Sequence, residues 1–162
     1  MEVRRDHRRR CDDVGVPEPS TPREPAEAIR ALVARYGELL DAGDLDGVAG
    51  LFRHARWISG TRALTGFDAV RAVYDDVILY DGVPCTRHVM SDVVVSIDAD
   101  GATSRCSFTV FQARPDFPLQ PVLVGRYEDA FGRVGDAWEF RERRVHADLV
   151  GDLSHHMRAA RR

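Results

Sequence analysis

The chain has 162 residues, 44% hydrophobic and 30% charged, enough for one globular domain with a real core. Its formal net charge of -3 gives no electrostatic footprint for nucleic acid, and no run approaches the ~18 apolar residues of a membrane helix. All 23 basic residues are arginine, and the three cysteines, Cys11, Cys85 and Cys106, are scattered and odd in number, which excludes a disulfide framework or a paired-cysteine zinc site and points to a reducing, cytoplasmic setting.

Residues 1–20 read as a disordered tail. Arg4, Arg5, Arg8, Arg9 and Arg10 cluster there, two prolines follow, and no apolar segment makes the stretch a secretory signal. Order is expected from Thr21. Thr21-Pro22-Arg23-Glu24 has the form of a capping box, with Pro22 suited to a first helical position. Ile29, Leu32, Val33, Tyr36 and Leu40 then recur at helical spacing as far as Gly43, a plausible terminator. Asp44 can cap a second, short helix carrying Leu45, Val48, Leu51 and Phe52.

Arg56 to Ser59 resembles a short strand. Thr65-Gly66-Phe67-Asp68 offers another cap, opening a helix with Phe67, Val70, Val73, Tyr74, Val77 and Ile78. After that the period changes to two, over about 86–97, 102–113, 121–133 and 137–149. Asp98-Ala99-Asp100-Gly101 and Gly132 to Asp136 mark hairpins, and Arg114 to Pro118 a longer loop. Helices followed by an antiparallel meander predict an α+β fold, with three helices against a curved sheet and a pocket at one end. The domain is expected over 21–157, with a short C-terminal tail at 158–162.

His88 is the most informative residue. It interrupts the strand-like Thr86-Arg87-His88-Val89-Met90-Ser91-Asp92-Val93-Val94-Val95, where a histidine is costly unless hydrogen-bonded or useful. Strict alternation places it on one face with Met90, Asp92 and Val94, a mixed face of the kind that lines a pocket. A core histidine bonded to a backbone carbonyl is the plainer alternative. The opposite face, with Val89, Val93, Val95 and Ile97, would be an apolar patch, so a homo-oligomer, a dimer first, is expected.

Trp138, Phe140, Glu142, Arg144 and His146 share a face if alternation is strict. Arg144 and His146 would then bind an anionic group or lie in solvent, and a bulge would bring Arg143 inward instead. His155-His156 reads as a surface pair without a metal-ligand pattern, and Cys85 and Cys106 as small packed hydrophobes. No Gly-rich phosphate loop or nucleophile elbow is present.

The phrases Arg35-Tyr36, Asp41-Ala42-Gly43-Asp44-Leu45-Asp46, Leu51-Phe52, Gly66-Phe67-Asp68-Ala69-Val70, Thr86-Arg87-His88, Gly125-Arg126-Tyr127-Glu128-Asp129 and Trp138 to Arg144 resemble the SnoaL-like, or nuclear transport factor 2-like, superfamily. The resemblance covers about residues 24–157. It implies a cone-shaped α+β barrel: three N-terminal helices in a strongly bent, mainly antiparallel sheet around an apolar cavity. It is nearest to the scytalone dehydratase and bile-acid dehydratase type, and at the matching positions it implies His88 as base, Asp41 as its orienting carboxylate and Tyr36 as a carbonyl-polarising hydroxyl.

Trp57, Met90, Gln112, Arg144 and His146 are the candidate substrate contacts. Neither a metal nor an organic cofactor is implied, and the expected partner is a small, mostly apolar oxygenated molecule. The same fold also serves non-catalytic binding and assembly subunits. Tyr36 and Asp41 are five helical residues apart, about 140° around an ideal axis. Both are therefore expected to face the cavity only if the helix unwinds near Gly43.

Overall fold

The structure, a computed structural model, describes residues 24–161. The tail at 1–20, Thr21 and Pro22 lie outside the described residues. Helix α1 runs Pro25–Asp41, with Glu24 before it and a proline in its first turn. It buries Ile29, Val33, Tyr36 and Leu40 of the stripe that the periodicity predicts, with Leu39 beside them, while Leu32 is only partly buried. Gly43 ends it at φ +74, where a Cβ would collide with the Gly82 carbonyl oxygen at 2.0 Å. Asp44 caps α2 (Leu45–Gly50) by accepting from the Gly47 amide at 2.8 Å.

Strand β1 (Arg56–Ser59) turns into β2 (Arg62–Thr65), a strand that the pattern does not announce. Thr65 makes no cap. Gly66, at φ +83, precedes α3 (Phe67–Arg71), and the helix expected through Ile78 tightens to a 3-10 turn at Ala72–Asp76. Strands β3 (Thr86–Ile97), β4 (Ala102–Arg114), β5 (Phe117–Val134) and β6 (Ala137–Val150) follow. Only Pro115 and Asp116 separate β4 from β5, so the expected long loop there is a tight connection.

The six strands form one sheet in the order β2-β1-β6-β5-β4-β3. β1 pairs parallel to β6, and every other pairing is antiparallel. This is the α+β cone read from the sequence, with the core between the helices and the concave face of the sheet.

Two bulges reassign faces. In β3 the register shifts between Ser91 and Val94, with Asp92 at φ +54. Thr86, His88 and Met90 therefore point inward before the shift, and Val93 and Val95 after it. Asp92 and Val94 do not share the face of His88. The outward apolar set is Val89, Val94 and Ile97, not Val93 and Val95. In β6 an extra residue, Arg141, sits between Phe140 and Glu142 opposite Phe131 and Ala130. Beyond it Arg143 points inward and is fully buried.

The segment Arg158–Arg161 stays attached to the domain. Arg158–Arg161 is a 3-10 turn, and Arg158 Nη1 donates to the carbonyl oxygens of Asp75 and, at 2.7 Å, Val77.

Candidate functional site

Asp41 and His88 meet because α1 lies hard against β3. Gly37, one turn before Asp41, makes this possible: a Cβ there would stand 2.6 Å from Met90 Cε and 3.1 Å from His88 Cβ. Asp41 is the last residue of a helix that stays regular to its end, so no unwinding is needed. The strand comes to the carboxylate instead.

Asp41 Oδ1 lies 2.6 Å from His88 Nδ1 and accepts from Thr86 Oγ1 at 2.9 Å, while Oδ2 accepts from the His88 backbone amide at 2.9 Å. A carboxylate only accepts, so this arrangement puts the imidazole proton on Nδ1. The two side chains are 8% and 6% exposed. Burial pulls the Asp41 carboxyl upward, but the hydrogen bonds from His88 outweigh it and hold Asp41 below its ordinary value.

Nδ1 is engaged and Nε2 makes no hydrogen bond, and His88 lines a cavity of about 230 Å³. Its lining includes His88, Tyr36, Tyr74, Tyr127, Thr86, Ser59 and His156, and Trp57, Phe108 and aliphatic side chains make up most of the rest. Tyr36 and Tyr74 share a hydrogen bond between hydroxyls, 3.0 Å apart. Burial first, then Tyr36, raises the Tyr74 phenol well above its ordinary value, so it stays protonated. Asp41 itself stands behind His88 and is not part of the lining.

Of the expected substrate contacts, Trp57 lines the cavity and is 8% exposed, and its Nε1 is packed away without a partner. The other four do not. Met90 packs on Gly37 of α1. Gln112 is fully buried and donates through Nε2 to the carbonyls of Pro84 and His155, both at 2.9 Å, so it ties loops together. The β6 bulge turns Arg144 outward to pair with Glu142 at 3.1 Å. His146 likewise sits opposite Glu128, at 3.4 Å. Val145 and Ala147 occupy the inward positions that strict alternation would have given them.

His156 is the residue that sequence reasoning misplaces. It is 9% exposed and lines the cavity with Leu153 and Met157. Neighbouring His155 stacks on Phe117 at 4.5 Å. The signal available was the apolar spacing of Leu153 and Met157 around it, unlike a solvated tail. Arg143 takes the inward place that a bulge would give it, though it is not part of the cavity lining. It grips Asp129 with two 2.8 Å hydrogen bonds, between the rings of Tyr36 and Tyr127, each centroid 4.1 Å from its guanidinium carbon. Cys106 is buried, and its thiol is pushed up to about 11, chiefly by desolvation, which makes it a packing residue. Among the described residues no cluster of three metal-ligating side chains exists, and no helix is long and apolar enough to cross a membrane.

The model of the SnoaL-like domain matches residues 23–144. Rv3472 of Mycobacterium tuberculosis, a protein of unknown function solved as a single-residue variant, is 28% identical with a TM-score of 0.64, over 79% of this chain and 75% of its own. An NTF2-like protein with a cystatin-like fold from Novosphingobium aromaticivorans is 25% identical with a TM-score of 0.65, over 85% and 89%. A protein of the same organism, provisionally assigned as a scytalone dehydratase, has the same fold at 20% identity, with a TM-score of 0.62 over 78% and 85%. No curated protein matches the chain. With three quarters of its length under the family model and a cone that superposes on NTF2-like structures, the chain belongs to the SnoaL-like domain family.

Proposed function

We propose that the protein is a cofactor-independent acid–base enzyme acting on a small, mostly apolar ketone or related oxygenated molecule, with dehydration as the first choice and isomerisation or cyclisation as variants of the same opening step. The observation that carries this reading is the 2.6 Å Asp41–His88 pair, in which His88 lines a mostly apolar cavity together with Tyr36.

In the proposed step His88 Nε2 removes a proton next to the carbonyl. Asp41 fixes the Nδ1–H tautomer and stabilises the imidazolium that forms. The Tyr36 hydroxyl, itself bonded to Tyr74, donates to the carbonyl oxygen as the enolate develops. In a dehydration the enolate then expels a β-hydroxyl, which takes the proton from the His88 imidazolium and leaves as water. Binding in a largely apolar cavity keeps bulk water away from the imidazole and strengthens each of these contacts.

The test needs no knowledge of the natural substrate. 1-Indanone in D₂O should exchange its α-protons faster with the protein than without it, read by ¹H NMR, and His88→Ala should remove the acceleration. Unaccelerated exchange, together with saturable binding of the ketone, would leave a ligand-binding subunit of the same fold. We further propose a homodimer through the outer sheet face, where Val89, Val94 and Ile97 are 45%, 44% and 46% exposed. Light scattering should then give twice the chain mass of 18.1 kDa, and a mass near one chain would refute it.

A further inference from the structure

The segment after β6 folds back over the cavity and is pinned there. Gly151 N donates to Val122 O at 3.0 Å, Ile78 N to His156 O at 2.9 Å, and Met157 bridges to Val77. The His155 carbonyl accepts from Tyr80 Oη at 2.8 Å and from Gln112 Nε2 at 2.9 Å. These bonds fix the backbone on both sides of the His156 ring. The ring is more than nine-tenths buried, yet it makes no hydrogen bond, and its Nδ1 is sealed against protein without a partner.

An unpartnered buried polar group is costly, so its orientation needs a reason. Leaving the sealed Nδ1 as a bare lone pair costs less than sealing an N–H there, and the proton then rides on Nε2. Desolvation first, then the nearby His88, lowers the His156 pKa to about 4, with Asp41 opposing. The ring is thus neutral at ordinary pH and acts as a hydrogen-bond donor rather than a cation.

We propose that His156 is the second polar anchor of the cavity, donating from Nε2–H to a substrate oxygen other than the one held by Tyr36. This rests on the acid–base reading above and names its substrate class: a neutral, compact, mostly apolar molecule with two oxygens. Neutrality follows from the lining, which contains neither arginine nor carboxylate among the described residues. Arg143, a buried cation of the core outside this lining, has its charge paired with Asp129. An anion would lie there without a counter-charge.

The test compares dissociation constants of 1-indanone with its four ring-hydroxylated isomers, which hold the second oxygen at different fixed places. At least one isomer should bind about tenfold tighter than 1-indanone, the worth of one hydrogen bond. His156→Phe should bring that isomer within about twofold of 1-indanone, and His156→Gln, which restores a donor, should recover part of the gain. The ¹⁵N resonance of His156 Nε2 in the native protein should move with that isomer and not with 1-indanone, a readout that stands even if the phenylalanine variant fails to fold. No favoured isomer, a preference that survives His156→Phe, or equally tight binding of an indanone carboxylate would overturn the proposal. Exchange catalysis with no hydroxyl preference would remove the anchor and spare the acid–base reading. A His156-dependent preference without exchange would do the reverse.

Discussion

The protein holds two buried pairs of carboxylate and base that differ in what they leave over. Asp129 and Arg143 have fully buried side chains, and Asp41 and His88 nearly so. Arg143 meets Asp129 as a two-bond fork, walled by aromatic rings, and Ser104 Oγ donates a further, 3.3 Å bond to the carboxylate. Burial disfavours its charge, but Asp129 more than compensates and holds the guanidinium above its ordinary value. Arg143 keeps its Nη1 unpartnered but sealed in the core, whereas His88, the partner of an equally saturated Asp41, keeps Nε2 unpartnered on a residue that lines the cavity. Burial alone therefore does not mark a functional pair. An unspent valence facing open space does.

That contrast breaks most visibly at Arg143. Arg143→Met leaves Asp129 charged and unpaired in the core and should cost about 3–5 kcal/mol in urea unfolding. Adding Asp129→Leu should restore most of the loss, because an apolar pair of similar volume needs no desolvation. If Arg143→Met unfolds at the native midpoint, the fork is not what holds this end of the core.

At the open pair the effect moves from stability to rate. His88→Ala should slow α-proton exchange by ~10²-fold or more, the typical worth of a positioned base. Asp41→Asn should slow it as well, for a stated reason. An amide nitrogen at the Oδ1 place forces the wrong His88 tautomer, and at the Oδ2 place it opposes the His88 amide N–H. Native-like rates in Asp41→Asn would show that the carboxylate does not set the tautomer.

The architecture was legible because it rests on period. The helical stripe from Ile29 to Leu40, the Asp44 cap and four runs of alternating residues are local signals, and all appear in the fold. The pairing of Asp41 with His88 was legible only through family resemblance, since no spacing connects residues so far apart in sequence. The faces that the pattern misjudged along β3 and β6, it misjudged for one reason. A single extra residue flips every later side chain, and no residue type announces it. Asp92 moved Val93 and Val95 inward, and Arg141 exchanged Arg143 for Arg144. His156 was hidden differently, because Leu153 and Met157 give too short a pattern to show which face of a folded-back segment is buried.

His156 also gives the contrast a pH dependence. In the unfolded chain a histidine titrates near 6.5, and here it titrates at about 4. The unfolded state therefore binds more protons between those values, so stability rises with pH across that window and is lost as pH falls from about 6.5 towards 4. The linkage is worth at most about 3 kcal/mol. His156→Leu should flatten this part of the profile of melting temperature against pH. The Asp41 contribution lies lower: its depressed carboxyl stabilises the fold above about 3.8 and fails only in stronger acid. An unchanged slope in His156→Leu would mean that the ring is not buried in solution.

The smallest stability effect should come with a disproportionate loss of function, at Gly37. Alanine in mid-helix gains about 1 kcal/mol of helix propensity over glycine. Its Cβ would meet Met90 Cε, the end of a flexible side chain that can swing away, and His88 Cβ, which cannot move without its strand. The propensity gain and the crowding should roughly cancel, leaving stability within about 1 kcal/mol of native. The strain falls on the contact that sets the distance between α1 and β3. A few tenths of an ångström there lengthens the 2.6 Å Asp41–His88 bond while leaving the Arg143–Asp129 fork, on other strands, untouched. Gly37→Ala should therefore unfold like the native protein but exchange α-protons several-fold more slowly. If rate and stability fall together, the glycine serves packing in general, and the close approach of α1 to β3 is not specific to the pair.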